Sequence, residues 1–338
     1  MARVQPLAEE ILREWPEIDE VDRHLKNQLA SEVPLMQQVV NHLTARGGKR
    51  LRPKLVYLCA NFGRGDGSAL RGTLPGADPV ALRDVATAVE LIHLASLVHD
   101  DIIDRSKTRR GNPTVNALWG NHVSVLSGDY LFAKAFHLLT RHNQYGVVDV
   151  ASTTIAIMCE GEIEQASQLY DSDLTFEDYF QRAERKTARL IAASCRMGAA
   201  VVGAAPEVQE ALAEYGRQMG YAYQIVDDIL DLTASRKTLG KPVGADLKQG
   251  ILTLPVIYLL QDEAWRARVA PLVAARTVTA PVVNVVRKGL KETGAMARAM
   301  EVARQCVAQA GLALEKLPDV PERAVLGAVA KYVLARSM

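Results

Sequence analysis

Twice in this chain an apolar helical run ends in three carboxylates, and no other feature limits the possible folds as much. The first, Glu90-Leu-Ile-His-Leu-Ala-Ser-Leu-Val-His-Asp-Asp-Ile-Ile-Asp104, closes on Asp100, Asp101 and Asp104. The second, Gln224-Ile-Val-Asp-Asp-Ile-Leu-Asp231, closes on Asp227, Asp228 and Asp231. In each cluster the outer pair stands at i and i+4, so Asp100 and Asp104, like Asp227 and Asp231, share one helix face a turn apart. Like charges so placed weaken a helix unless a cation sits between them. A lone acidic cluster is ordinarily a solvated helix end; two copies of Asp-Asp-x-x-Asp after apolar helical sequence are hard to explain as solvation. Oxygen ligands without thiolate point to a hard ion, Mg²⁺ before Zn²⁺. Just beyond the first cluster, Arg109 and Arg110 supply forked cations suited to phosphate. Metal-binding acids beside phosphate-binding bases suggest a Mg²⁺-bridged phosphate or diphosphate substrate.

Helical periodicity continues from end to end, and long alternating Val/Ile/Thr runs are absent, so the chain is all-α. Residues 7–30 read as an amphipathic helix, or a pair interrupted near Pro16, and residues 33–45 as another that Gly47-Gly48 stops. In Lys49-Arg50-Leu51-Arg52-Pro53, Lys49 and Arg52 fall on one face of the next helix start. Cations there oppose the macrodipole, a penalty that a captured anion reverses. The Gly- and Pro-rich residues 61–78 read as a surface loop, followed by a helix from about Val80 to Asp104. Helices over 123–140 and 147–169 come next. Thr175-Phe-Glu-Asp178 is an N-cap with an acidic N3 residue, opening a helix through Ala200 that carries Lys186 and Thr187. A further helix from 206–210 reaches the second cluster, and residues 232–250 form a Lys-bearing loop of the kind that closes over metal sites. Residues 252–338 are helices separated near Pro281 and Pro318–Pro321.

Composition excludes several classes. A net charge of +1 gives no nucleic-acid or polyanion surface. The four cysteines are scattered and read as core thiols in a reducing compartment. The N-terminus lacks the apolar core of a signal peptide, and no uncharged apolar run approaches the roughly 18 residues of a membrane span. These features predict a cytoplasmic protein, and the length of 338 residues allows one large domain or two. Glu90-x-x-His93 matches a di-iron carboxylate signature, but that architecture needs two such motifs. None of the other six histidines has Glu three residues before it. His93 instead lies two helical turns before Asp100 on the same face, where it can reach a substrate anion.

Gly47-Gly48-Lys49-Arg50-Leu51-Arg52-Pro53, the two Asp-Asp-x-x-Asp motifs, Arg109-Arg110-Gly111, Lys186-Thr187 and Gly240-Lys241-Pro-Val-Gly244-Ala-Asp246 occur in this order. Together they resemble the trans-isoprenyl diphosphate synthases, with helical patterning extending the resemblance to the C-terminus. The resemblance implies the isoprenoid-synthase fold, one domain over residues 1–338 built as a large helical bundle around a deep cavity with residues 1–30 peripheral, and a homodimer or a heterodimer with a small regulatory subunit. It implies Mg²⁺ held by Asp100, Asp101 and Asp104 on one wall and by Asp227, Asp228 and Asp231 on the other, on an allylic diphosphate that Arg109, Lys186 and Lys241 also bind. Lys49, Arg52, His93 and Arg110 match the positions that bind isopentenyl diphosphate, and Thr187 and Gln224 resemble the groups facing the allylic cation. One departure is Ile251 after Gly250, where the family often has Lys in a Gly-Lys-x-Thr segment; Lys248 lies nearby.

In this family the side chains one turn before the first acidic motif line the product tunnel. Here they are the small Ala95 and Ser96, which imply an open tunnel and a hexa- to octaprenyl product for a quinone side chain, with Phe132 and Phe136 as a floor further down. The first acidic segment and Ser127-Gly-Asp-Tyr-Leu-Phe132 resemble the catalytic subunit of two-component heptaprenyl synthases. A shorter-chain farnesyl or geranylgeranyl synthase is the nearest alternative. A non-catalytic subunit predicts eroded Asp motifs, which this chain keeps. A terpene cyclase needs one diphosphate site, whereas Lys49, Arg52 and Arg110 suggest two anionic substrates.

Overall fold

The computed structural model describes residues 15–45, 48–63, 78–109, 111–233 and 243–335. Helices α1 (Pro16–Gln28), α2 (Pro34–Thr44), α3 (Leu51–Ala60) and α4 (Pro79–Ile103) come first. A short hairpin of β1 (Thr108–Arg109) and β2 (Asn112–Pro113) leads into α5 (Val115–Thr140), α6 (Tyr145–Ser167) and α7 (Phe176–Ala183). A π-helical turn, Glu184–Ala188, joins α7 to α8 (Arg189–Ala200), which α9 (Pro206–Thr233) and α10 (Ala245–Lys248) follow. The chain ends in α11 (Leu254–Leu260), α12 (Glu263–Ala274), α13 (Ala280–Glu292), α14 (Ala295–Glu315) and α15 (Pro321–Ala335). Apart from the hairpin, the regular elements among the described residues are helical, as the periodicity predicts. Pro16 opens α1, at the position where a missing N–H costs nothing, and the expected helical residues 7–14 before it lie outside the described residues. None of the described helices is long and apolar enough to cross a membrane.

The contacts fall into two units. The first comprises Met1–Ile155, Leu190–Gly216 and Gly311–Val329. Its central element is α4, capped by Asp78, whose carboxylate accepts from the Val80 N–H at 2.8 Å. The α4 sequence is apolar nearly all round, and Leu82, Val85, Ala86, Val89, Leu91, Ile92 and Ala95 are all buried. A helix so composed must be covered on several sides, and α5, α3 and α1 pack against it, α5 most extensively. Burying a side chain such as Leu91 or Ile92 contributes about 1.5–3 kcal/mol. Helix α8 crosses α3 at backbone contact, since a Cβ on Gly198 would lie 2.3 Å from the Val56 carbonyl oxygen.

Polar groups are also buried in this unit. The Asp84 carboxylate, fully inaccessible, has His24 Nε2 at 2.7 Å, His142 Nε2 at 2.8 Å, Arg141 at 3.6 Å and Arg83 at 3.9 Å. Burial, then the charge of Arg83, holds the His24 imidazole below its ordinary range despite the opposing pull of Asp84. Unfolded His24 therefore takes up a proton at higher pH than folded His24. Its contribution to stability is complete above about pH 6.5 and is lost as the pH falls toward the lowered folded value. The melting temperature is expected to drop between pH 7.5 and pH 5.5, and His24→Gln to flatten part of that drop. An identical slope in the variant would remove His24 from the account.

The second unit comprises Ala156–Arg189, Arg217–Ala310 and Ala330–Met338. Thr175 and Asp178 form the capping box read from the sequence: the Asp178 N–H donates to Thr175 Oγ1 at 3.1 Å, and the Thr175 N–H donates to Asp178 Oδ2 at 2.9 Å. Helix α11, buried along most of its length, packs against α12 and α13. The buried Arg182 guanidinium donates to the Leu252 carbonyl at 2.5 Å, fixing the chain just before α11. The turn at Gly250 has φ +86° and lies against the Tyr170 ring, 2.5 Å from where a Cβ would stand. Only glycine fits both the left-handed backbone and that contact.

Candidate functional site

The first acidic cluster occupies the C-terminal end of α4. Asp100 is half-buried, and Asp104 is the C-cap, its N–H donating to the Asp100 carbonyl at 2.8 Å. Both carboxylates stand at the negative end of the helix, so the macrodipole and their mutual repulsion act against them together. A cation at this end relieves both penalties. Asp101 points elsewhere. It is buried, its Oδ1 accepts from Arg109 Nε at 2.9 Å, and its carbonyl accepts from the Ser106 N–H at 2.9 Å and Asn116 Nδ2 at 3.1 Å. Asp101 thus ties the hairpin that carries Arg109 to the end of α4. The pairing Arg109 with Asn112, and Gly111 at φ +79°, complete that hairpin. Arg110 and Lys241, both expected to bind diphosphate, lie outside the described residues.

The basic segment at the start of α3 is organised by Arg50, which the sequence reading passed over for its neighbours. Arg50 adopts φ 47°, a left-handed conformation costly for a residue with a side chain. Its buried guanidinium donates from Nε to Asp22 and from NH1 to Glu90, each at 2.6 Å. Glu90 is thereby accounted for as an ion-pair partner. Because Glu90 is one turn from His93 on α4, this pair pins the Lys49–Arg52 segment to the turn that carries His93. Lys49 is exposed there, and Arg52 and His93 are half-buried.

The second cluster lies in the last turns of α9, again at a C-terminal helix end. Asp227 and Asp231 are half-buried. The Asp231 carboxylate accepts from the Ala245 N–H at 3.1 Å and the Asp246 N–H at 3.4 Å, holding α10 against α9. Lys248, on α10, donates from Nζ to the Val243 carbonyl at 3.1 Å. Asp228 is 2% exposed, accepting from Tyr179 Oη on Oδ2 and from Gln224 Nε2 on Oδ1, each at 2.7 Å. Burial, and then the charge of Asp246, push its carboxyl up to about 7, against the pull of those two hydrogen bonds.

Gln224 also connects to Thr187, whose Oγ1 donates to Gln224 Oε1 at 2.5 Å. That contact depends on two departures from regular packing. Residues Glu184–Ala188 form a π-turn where the sequence predicts an unbroken helix from Thr175 to Ala200. Gly220, one turn before Gln224, lets the end of the π-turn approach α9, since a Cβ there would lie 2.4 Å from Ala188 Cα. Insertions of this kind recur at functional sites because they re-aim side chains. Lys186 sits in the same turn, with Nζ 2.9 Å from Glu162 Oε1 and 3.4 Å from Gln165 Oε1. Ala95 is wholly buried, and the half-buried Ser96 donates from Oγ to the His93 carbonyl at 2.9 Å. Phe132 packs against His99, ring centroids 5.7 Å apart, and Phe136 is half-buried a turn later. Arg50, Tyr179, Glu162 and Gly220 were not read as site residues, and only their tertiary partners mark them.

Three comparisons bear on this geometry. Residues 33–288 match the family model described as polyprenyl synthetase. The chain is 38% identical over 317 residues to heptaprenyl diphosphate synthase component 2 of Bacillus subtilis (strain 168), covering 94% of this chain and 87% of that protein. It is 34% identical over 321 residues to the octaprenyl diphosphate synthase of Escherichia coli (strain K12), covering 94% of each. In structure it resembles a polyprenyl synthase from Caulobacter crescentus CB15 crystallised with calcium and isoprenyl diphosphate, with a TM-score of 0.87, 31% identity, and coverage of 100% of this chain and 98% of that one.

Proposed function

The chain belongs to the polyprenyl synthetase family, and from that premise we propose that it condenses isopentenyl diphosphate with an allylic diphosphate in trans to build a polyprenyl diphosphate. The observation that carries this reading is the repeated one: α4 and α9 each carry, at or near the C-terminal end, an Asp pair at i and i+4, an arrangement of like charges that a bound cation would favour. Carboxylate oxygens alone suit Mg²⁺. By the family resemblance, Asp100 and Asp104 at one helix end and Asp227 and Asp231 near the other would hold Mg²⁺ for the allylic diphosphate. Asp101 and Asp228 are themselves buried and have hydrogen-bonding partners, and we assign them to supporting these ligands rather than to the metal itself. When bound, Mg²⁺ supplies Lewis-acid neutralisation of the charge growing on the departing diphosphate.

The side chains of the chain do the rest. Arg109, Lys186 and Lys241 bind the allylic diphosphate and favour its departure. Lys49, Arg52, Arg110 and His93 hold isopentenyl diphosphate, with Arg50 fixing that segment in place. Because Asp228 accepts from Gln224 Nε2, Gln224 Oε1 must accept from Thr187. The Thr187 oxygen therefore offers lone pairs, not its proton, to the allylic cation. The double bond of isopentenyl diphosphate attacks that cation and a proton is lost, the released diphosphate being the base at hand. An apolar lining, as the family resemblance implies, would exclude the water that quenches the cation.

The product is medium to long, in the hexa- to octaprenyl range, and serves as a quinone side chain; both a heptaprenyl and an octaprenyl synthase are relatives of comparable identity. The four cysteines form no disulfide, which suits the cytoplasm. Val125 and Leu126 on α5 are exposed apolar side chains that a second copy of the chain, or a small partner subunit, would cover. Incubation of the purified chain with Mg²⁺, farnesyl diphosphate and labelled isopentenyl diphosphate, followed by chromatography, tests activity and length together. A polyprenyl ladder ending at one long product is expected. Label left wholly in isopentenyl diphosphate overturns the reading of a self-sufficient synthase. Ser96→Phe, and more disruptively Ala95→Phe at its buried position, should shorten that product by at least one isoprene unit; unchanged length would remove both positions from chain-length control.

A further inference from the structure

We infer that Tyr179 is a positioning residue for chain elongation, acting through Asp228 and Gln224 to aim the hydroxyl of Thr187. The four side chains form one continuous hydrogen-bonded line. Tyr179 Oη and Gln224 Nε2 donate to the two oxygens of Asp228, and Thr187 Oγ1 donates to Gln224 Oε1. Tyr179 is 2% exposed and its ring packs edge-on against Phe180 and under the Arg182 guanidinium, so its hydroxyl is held in place from behind. In its ionised form Asp228 only accepts, and so ionised it fixes the direction of every bond in the line. An amide can turn over and a hydroxyl can rotate; here neither does without breaking a bond inside the protein. Tyr179 occupies the Asp228 oxygen that would otherwise be left without a partner in a dry interior. With that oxygen released, Asp228 can turn, Gln224 loses its fixed orientation, and the Thr187 proton is free to point toward the cation.

This inference rests on the reading that Thr187 and Gln224 face the allylic cation, and the experiment separates the two. Steady-state turnover with farnesyl and isopentenyl diphosphates is measured for the wild type, Tyr179→Phe, Thr187→Val and the double variant. Tyr179→Phe keeps the ring and removes one oxygen. It is expected to lower kcat on the order of tenfold while both KM values stay within about twofold, because the line touches the reacting centre and not the diphosphates. In the Thr187→Val background the same change is expected to have no further effect, since the group being aimed is gone. Should Tyr179→Phe yield too little folded protein, Asp228→Asn interrupts the same line and is expected to give the same kcat loss. A normal kcat in Tyr179→Phe, or an equal loss with and without Thr187, overturns the positioning role while leaving the synthase reading intact. An inactive wild type overturns the synthase reading itself.

Discussion

Asp100→Ala and Asp227→Ala are each expected to lose turnover by about 10³-fold or more, while the metal-free proteins melt at or slightly above the wild-type temperature. The combination is what identifies the groups. Asp100 stands in the last turn of α4 and Asp227 six residues before the end of α9, each with a second carboxylate at i+4. Removing one acid takes away its repulsion with the other, worth roughly 0.2–0.5 kcal/mol in the absence of a cation. A stability gain alongside lost activity is the behaviour of a metal ligand that the fold does not need. Near-normal rates would undo the metal assignment. A melting temperature lowered by several degrees would make the acids structural.

Arg50→Ala should have the opposite profile, a large stability loss. Its guanidinium pairs with Asp22 and Glu90, and Glu90 is 4% exposed, so the variant strands a buried carboxylate. Breaking such a pair from one side costs about 3–5 kcal/mol, which for a protein of this size lowers the melting temperature by roughly 5–15 °C. Arg50→Gly provides the internal control. It relieves the left-handed backbone, a gain of about 1–2 kcal/mol, yet loses the same ion pairs, so it should melt above Arg50→Ala and below the wild type. The affinity for isopentenyl diphosphate should fall in both, because Lys49 and Arg52 are no longer held against the turn of His93. A wild-type melting temperature in Arg50→Ala would show that the pair contributes nothing to the fold.

Much of this molecule was legible from local chemistry. The i, i+4 spacing of the acids, the capping box at Thr175 and Asp178, and the helix-only periodicity each follow from a few neighbouring residues, and the structure contains all three. The π-turn was not legible. Glu184-Arg-Lys-Thr-Ala188 has ordinary helix propensity, and the insertion is tied to contact with Gly220, more than thirty residues on. Nor could sequence separate Arg50 from Lys49 and Arg52, since three cations within four residues look alike until Asp22 and Glu90 select one. The same holds for the middle acids. Asp101 and Asp228 read as further ligands beside their neighbours, and sequence could not show that Asp101 also pairs with Arg109 and Asp228 with Tyr179 and Gln224. The hairpin at Arg109 escaped notice because strands of two residues are too short to show a period.

The central claim is that the two acidic helix ends serve one metal-bound diphosphate. Calorimetric binding of farnesyl thiodiphosphate, which resists loss of its leaving group, tests that most directly. It is run with the wild type, Asp100→Ala and Asp227→Ala, in Mg²⁺ and again in EDTA. The account predicts tight binding only to the wild type in Mg²⁺, with weakening of at least tenfold in either variant and in EDTA. Equal affinity with and without Mg²⁺, or a loss confined to one of the two variants, would contradict it.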